Sequence, residues 1–137
     1  MKKHLMLLSC VLLASFFALA QKDYRVVFDL TSKDSNDQRA VIRWLNEVSN
    51  AEPTAQMEVV MYGQGLSLVT KGRSSYPDDV AKLAQNKNIS FKVCQVAMKN
   101  LGVDKSQLID GVGTVPDGIY EVISKQRDGW GYIKVKN

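Results

Sequence analysis

Short apolar runs alternate with helical segments along most of this chain, and the alternation restricts the folds that it can adopt. The runs typical of β-strands are Arg25–Asp29, Met57–Tyr62, Ile89–Val93, Gly111–Val115 and Trp130–Lys136. A segment with helical spacing of apolar residues, or a short turn leading into one, follows each of the first four runs. Parallel strands need such crossovers, so this order predicts a three-layer α/β/α sandwich with a mostly parallel five-stranded sheet. The pattern does not indicate the order of the strands.

The spacing of apolar residues also predicts which side chains of the last helix and the last strand face the interior. In the last helix, Ile119, Val122 and Ile123 share one face, which we expect to be the buried one. In the last strand, Ile133 and Val135 alternate with more polar residues. We therefore expect an edge strand with one face in the core and one face in water.

The first twenty residues differ from the rest of the chain. Residues 1–4 form a basic region, residues 5–19 are apolar apart from Ser9 and Ser15, and small residues precede a cleavage point after Ala20. This is the pattern of a secretory signal peptide, and the apolar run is short for a membrane span. We predict a signal peptide at 1–20, a single domain at 21–137, and a periplasmic or secreted protein that has no membrane attachment after cleavage.

Cleavage would leave the domain with one cysteine, Cys94, and no histidine. The only histidine of the chain, His4, and the second cysteine, Cys10, both lie in the predicted signal peptide. Lipid attachment at Cys10, after the lipobox-like Leu7-Leu8-Ser9, is the alternative, but too few apolar residues precede it. A domain without histidine has no Cys-His or Ser-His-Asp machinery and lacks the usual zinc ligands. We expect neither a metal nor an organic cofactor, and no disulfide within the domain.

The basic character of the chain does not indicate a nucleic-acid partner. The formal net charge of +4 would be halved by the loss of Lys2 and Lys3 with the signal peptide. The remaining lysines and arginines are scattered, without a stripe or interleaved aromatic residues, whereas nucleic-acid binding requires a clustered positive surface.

Several short motifs occur in an order that is fairly specific as a set. They are Tyr62-Gly-Gln-Gly65, Phe91-Lys-Val-Cys94 before a helix that ends at Leu101-Gly102, Leu108–Val112, Val115-Pro-Asp-Gly118 and Gly129–Lys134. From Tyr24 to Lys134 the chain thus resembles the DsrE/DsrF-like family of small sulfur-relay proteins. The resemblance implies an α/β/α fold of the flavodoxin-like topology class and a homo-oligomer, often a trimer or hexamer. It also implies a cysteine, here Cys94, that carries sulfur as a persulfide in sulfur-trafficking members.

Cys94 stands where an apolar strand meets a helix. In α/β proteins this end of a strand is where ligands and reactive groups lie, and a helix N-terminus stabilises a thiolate. The alternative is a buried small apolar residue, because free cysteine is among the most buried residue types. Two functions follow: a sulfur carrier that depends on Cys94 and a partner protein or small thiol, or a non-catalytic oligomeric scaffold. A thiol redox enzyme is disfavoured because the chain has no Cys-x-x-Cys.

Four further residues are candidates for the rim of a site around Cys94. Asp29 ends the first strand and would orient a ligand, accept a proton or cap the following loop. Tyr62 ends the second strand and would hydrogen-bond into a cleft or form its wall. Gly63 and Gly65 would let backbone N–H groups approach an anion, although a tight turn explains the same glycines.

Overall fold

In the computed structural model, which describes residues 23–136, five strands and four α-helices follow one another in alternation. The strands are β1 (Arg25–Leu30), β2 (Gln56–Met61), β3 (Ile89–Cys94), β4 (Gly113–Val115) and β5 (Gly131–Val135), and the helices are α1 (Ser35–Ala51), α2 (Pro77–Leu83), α3 (Gln95–Leu101) and α4 (Gly118–Arg127). Two 3-10 helices, Gly63–Val69 and Lys105–Gln107, complete the connections. The predicted signal peptide, its cleavage site and Cys10 lie outside the described residues.

All pairings in the sheet are parallel, and the strand order is β4-β3-β2-β1-β5. The predicted α/β sandwich is therefore confirmed. The strands β1 and β2 are almost continuously buried, as parallel strands covered on both faces must be. The last strand pairs with the first, so that Asp29 lies opposite Lys134 in the ladder. No helix among residues 23–136 is long and apolar enough to cross a membrane.

Most of the core lies on one face of the sheet, under α1 and α2. There Phe28, Val59 and Phe91 from three neighbouring strands pack with apolar side chains of both helices. The helix residues in this core are Val41, Ile42, Leu45, Val80 and Leu83. Side chains alternate between the two faces of a strand. Because the apolar residues of β1, β2 and β3 occupy this face, the residues between them must point to the opposite face.

The opposite face is smaller and partly polar, and α4 is the helix that lies over it. Its apolar cluster consists of Val27, Val60 and Val122, with Tyr62 and Trp130 at the edge. The predicted inner face of α4 is wrong for two of three residues: Val122 is buried, but Ile119 and Ile123 are 58% and 57% exposed. The sheet beneath offers charged groups as well as valines, so the inward stripe of α4 also includes Lys125, which pairs with Glu58.

The edge strand β5 is also more exposed than its alternation predicts. Val135 is buried, but Ile133 is 40% exposed. Ile133 lies opposite Phe28 in the register and belongs to the same face as the main core. Since no strand lies beyond β5 in the described part of the chain, its outer flank is open. The prediction that one face of this edge strand lies in the core holds for Val135 and fails for Ile133.

Candidate functional site

Cys94 is the last residue of β3 and the residue immediately before α3. Its backbone is extended, with φ −66° and ψ 120°, so the chain turns directly from the strand into the helix. The thiol is not in a disulfide, and the residue is 5% exposed. Met61 pairs with Val93, and the following residues, Tyr62 and Cys94, therefore stand side by side on the other face of the sheet. At this end of the sheet, both residues still contact the main core.

A cavity of about 250 Å³ opens beside Cys94, between α3 and the start of α4. Its lining is mostly apolar and consists of Tyr62, Gly63, Cys94, Val96, Ala97, Asn100, Leu101, Asp117 and Ile119. Asp117 is the only charged residue among them, and its carboxylate accepts the backbone N–H of Tyr120 as the N-cap of α4. The space suits a small group attached to the Cys94 sulfur better than a large organic ligand.

Gly118 allows α4 to begin close to Cys94. A Cβ at this position would lie 3.1 Å from Cys94 Cβ and 3.1 Å from Tyr62 Cδ1. Any larger side chain would therefore push into the contact between the cysteine and the tyrosine. The sequence indicated Gly118 only as part of a helix start, and its role beside the thiol depends on which helix crosses β3.

The two glycines after β2 have structural explanations. Gly63 lines the cavity and has a φ of +55°, which favours glycine. Gly65 is buried against β1, where a Cβ would lie 2.2 Å from the Leu30 carbonyl oxygen. Gly65 is not part of the cavity lining, so of the two only Gly63 is placed at the site. The tight-turn interpretation accounts for Gly63, whereas the close approach to the Leu30 backbone accounts for Gly65.

Asp29 lies behind Tyr62 and accepts hydrogen bonds from three side chains. Its Oδ2 accepts the Tyr62 hydroxyl at 3.1 Å and the Tyr132 hydroxyl at 2.7 Å, and its Oδ1 accepts Lys134 Nζ at 3.0 Å. Lys134 also donates to Thr31 Oγ1 and lies 5.6 Å from the centre of the Tyr62 ring. Asp29 does not cap the loop after β1 and does not line the cavity. Instead it holds Tyr62, which does line the cavity.

Both tyrosines that donate to Asp29 have pKa values above the ordinary value for tyrosine. Burial, followed by the hydrogen bond to Asp29, raises the pKa of Tyr132 to about 12. The same causes raise the pKa of Tyr62 further, with a small contribution from Cys94. Each phenol therefore stays protonated and donates to the carboxylate at all ordinary pH values. Tyr132 and Lys134 were not predicted as site residues, because only the pairing of β5 with β1 brings them to Asp29.

A second polar cluster holds the other end of α4 on the sheet. The Glu58 carboxylate is buried, and its Oε2 accepts Lys125 Nζ at 3.1 Å and Ser90 Oγ at 2.9 Å. Burial and a hydrogen bond with Glu58 raise the pKa of Glu121, although the nearby ammonium of Lys125 opposes this. Lys125 Nζ also lies 4.3 Å from the centre of the Trp130 ring. Among residues 23–136, no three His, Cys, Asp or Glu side chains are grouped so as to hold a metal ion.

Comparison with known proteins agrees with this geometry. The model of the DsrE/DsrF-like family matches residues 25–135. No curated protein matches the sequence. Among solved structures, the chain is similar to MTH1491 of Methanobacterium thermoautotrophicum, a protein of unknown function, with 28% identity, a TM-score of 0.77, and coverage of 82% of this chain and 99% of that one.

Two further solved structures are similar in fold alone. The ychN protein of E. coli has a TM-score of 0.67 and 13% identity, over 82% of this chain and 99% of its own. BT1422 of Bacteroides thetaiotaomicron, also of unknown function, has a TM-score of 0.68 and 15% identity, over 81% of this chain and 94% of its own.

Proposed function

Because the chain belongs to the DsrE/DsrF-like family, we propose that it takes part in sulfur relay and that Cys94 carries the sulfur as a persulfide. The observation that carries this proposal is the position of the thiol. Cys94 lies at the carboxyl edge of a parallel sheet, on the wall of a cavity that has room for added sulfur. The other cavity residues are mostly apolar, and none of them carries a second thiol.

The proposed transfer needs no cofactor. The Cys94 thiol first loses its proton to solvent, and the thiolate attacks the outer sulfur of a donor persulfide. A bond forms between Cys94 Sγ and that sulfur, the S–S bond of the donor breaks, and the donor leaves as a thiolate. A thiolate of an acceptor then attacks the outer sulfur on Cys94 and restores the cysteine. Since the described domain has no second cysteine, donor and acceptor must be other proteins or small thiols.

The burial of Cys94 favours a second candidate, a scaffold module in which the cysteine only fills space. The two functions differ in what the native protein does with a sulfur donor. The full chain is incubated with glutathione persulfide, desalted, alkylated with iodoacetamide and digested. We expect the peptide that contains Cys94 to gain the mass of one sulfur atom, and a Cys94→Ser variant to gain none there. A thiol that takes up no sulfur and is alkylated only after denaturation would exclude the carrier function.

We further propose that the protein forms a homo-oligomer, a trimer or hexamer, through the outer face of α4. Ile119, Tyr120 and Ile123 on α4 and Val96 on α3 are all more than half exposed, and such a contiguous apolar surface is unusual on a monomer. Val96 and Ile119 also line the Cys94 cavity, so a neighbouring copy would stand at its mouth. Sedimentation analysis tests this proposal: Ile123→Glu should yield monomers, and a monomeric wild-type protein would refute it.

The remaining proposal concerns location. The sequence of residues 1–20 supports export to the periplasm or medium with cleavage after Ala20. N-terminal mass analysis of the protein from the envelope fraction of a bacterial host should find Gln21 as the first residue. An intact N-terminus in the cytoplasm, or a lipid on Cys10, would contradict it.

A further inference from the structure

Tyr62 is the largest residue in the Cys94 cavity, and its position is controlled from outside that cavity. Its ring and Cys94 both approach the start of α4: Tyr62 Cδ1 and Cys94 Cβ each lie 3.1 Å from the point where a Cβ on Gly118 would stand. Its hydroxyl points the other way, to Asp29 Oδ2 at 3.1 Å. The ring thus separates the cysteine from the buried carboxylate.

We infer that Asp29 is a positioning residue that fixes the Tyr62 ring as a wall of the cavity and so limits access to the Cys94 thiol. The inference rests on the proposed function for its relevance to sulfur transfer, but the contact between Asp29 and Tyr62 does not depend on it. The carboxylate acts on the thiol only through the tyrosine, because Asp29 does not line the cavity.

The hydrogen bonds at Asp29 explain why its carboxylate can hold Tyr62 in one position. Asp29 lies in β1, a strand paired on both sides, and its side chain is buried. Lys134 neutralises the carboxylate at Oδ1, and Tyr132 shares Oδ2 with Tyr62. Hydrogen bonds to a charged acceptor are stronger than those between neutral groups, and several donors on one carboxylate restrict its rotation.

The same geometry assigns Tyr62 a steric role and not an acid–base one. Its single proton is donated to Asp29, away from the sulfur. Its pKa is raised by burial and by that hydrogen bond, so the phenol does not release the proton under ordinary conditions. What Tyr62 contributes beside Cys94 is the carbon side of its ring, with Cδ1 at the start of α4. If the hydroxyl loses its anchor, the ring is free to rotate about its side-chain bonds and the cavity widens.

The second-order rate of Cys94 alkylation by iodoacetamide in the native full chain measures this access. We expect Asp29→Asn and Tyr62→Phe each to raise the rate by about tenfold, which corresponds to about 1.4 kcal/mol. Tyr132→Phe is the matched control, since it removes a hydroxyl from the same oxygen of Asp29 but from a residue outside the cavity. Its rate should stay within about twofold of the wild type.

The double variant Asp29→Asn/Tyr62→Phe distinguishes positioning from a general loosening of the fold. If Asp29 acts through Tyr62, the double variant reacts no faster than Tyr62→Phe alone, because the single change already breaks the link. Rates that multiply in the double variant would overturn the inference. So would an increase in Tyr132→Phe equal to that in Tyr62→Phe. If Asp29→Asn does not fold, the comparison of the two Phe variants, which keep Asp29, still decides.

The outcome is separable from that of the proposed function. Sulfur uptake from glutathione persulfide is measured on the same variants by mass. Uptake on wild-type Cys94 together with unchanged alkylation rates in the variants would refute the role of Asp29 and leave the carrier function standing. Faster alkylation in the variants without any sulfur uptake would refute the carrier function and support the role of Asp29 in positioning Tyr62.

Discussion

Replacement of Gly65 by alanine should destabilise the protein, because the first 3-10 helix lies directly on the end of β1. A Cβ on residue 65 would be 2.2 Å from the Leu30 carbonyl oxygen, 2.8 Å from its carbon and 3.2 Å from Thr31 Cα. All three atoms belong to the backbone, so no side-chain rotation relieves the contact, and the helix must move away from the strand. Overpacking of this kind costs roughly 1 to 3 kcal/mol, and contact with backbone on a central strand places Gly65→Ala at the upper end.

A smaller effect on the unfolded chain partly offsets the destabilisation by Gly65→Ala. Alanine restricts the unfolded chain more than glycine and thereby stabilises the native state by roughly 0.4 to 1 kcal/mol. We therefore expect the free energy of unfolding to fall by about 2 kcal/mol. Urea unfolding followed by circular dichroism measures it, and with a slope of roughly 1 to 3 kcal/mol per molar the midpoint should fall by about 1 M.

Gly72→Ala is the matched control for Gly65→Ala. Gly72 has a φ of +74° but open space around it, so alanine there meets only backbone strain. That strain is about 1 to 2 kcal/mol, and the same unfolded-state term reduces it to about 1 kcal/mol. If Gly65→Ala were no more destabilising than Gly72→Ala, the close approach to Leu30 would not be the reason for glycine at position 65.

Three further predictions concern the polar groups around Glu58 and Asp29. Lys125→Met leaves the buried Glu58 carboxylate without its cation and should lower the free energy of unfolding, measured by urea unfolding, by about 3 kcal/mol. Most of this loss should be recovered when Glu58→Gln is added. The raised pKa of Glu121 contributes stability that is present below pH 4.5 and is lost as the pH rises through the folded-state pKa. Glu121→Gln keeps a donor for Glu58, so its melting temperature relative to the wild type should increase from acidic to neutral pH; a constant difference would contradict the shared hydrogen bond. The raised pKa of Tyr132, due to desolvation and to the hydrogen bond with Asp29, contributes stability that is present below pH 10.0 and is lost as the pH rises through about 12. An ultraviolet titration of Tyr132→Phe should lack one ionisation near pH 12, and loss of a step near 10.0 instead would contradict this assignment.

The sequence predicted the layers of this fold well and its surfaces less well. Alternation of strands and helices indicated the parallel sheet, and β1 and β2 are almost continuously buried, as the strands of such a sheet must be. It did not indicate the inward side of α4, since the helix carries apolar residues on both sides. Periodicity grouped Ile119 and Ile123 with Val122, whereas the charged residues of the sheet select a stripe that includes Lys125.

For the site, local pattern was sufficient where neighbouring strands end together. Cys94, Tyr62 and Gly63 share one cavity because β2 and β3 are adjacent and end at the same level. The partners of Asp29 required knowledge of strand order. Lys134 is 105 positions from Asp29 in the chain, and no local pattern indicates that the last strand lies beside the first. Asp117 was missed as a cavity residue, and Gly118 as a neighbour of Cys94, for a related reason: their place depends on which strands α4 crosses.

The pairing of β5 with β1 has a consequence for the order of folding. Strands β1 to β4 pair with their neighbours in sequence, but the β1–β5 pair closes a loop that spans nearly the whole domain and therefore has the largest loop-closure entropy. Until that pair forms, Asp29 has Tyr62 but neither Tyr132 nor Lys134. The strand pair with the largest loop-closure entropy is thus also the one that completes the hydrogen bonds to Asp29, and a chain truncated before Gly131 would lack Tyr132 and Lys134 at that carboxylate.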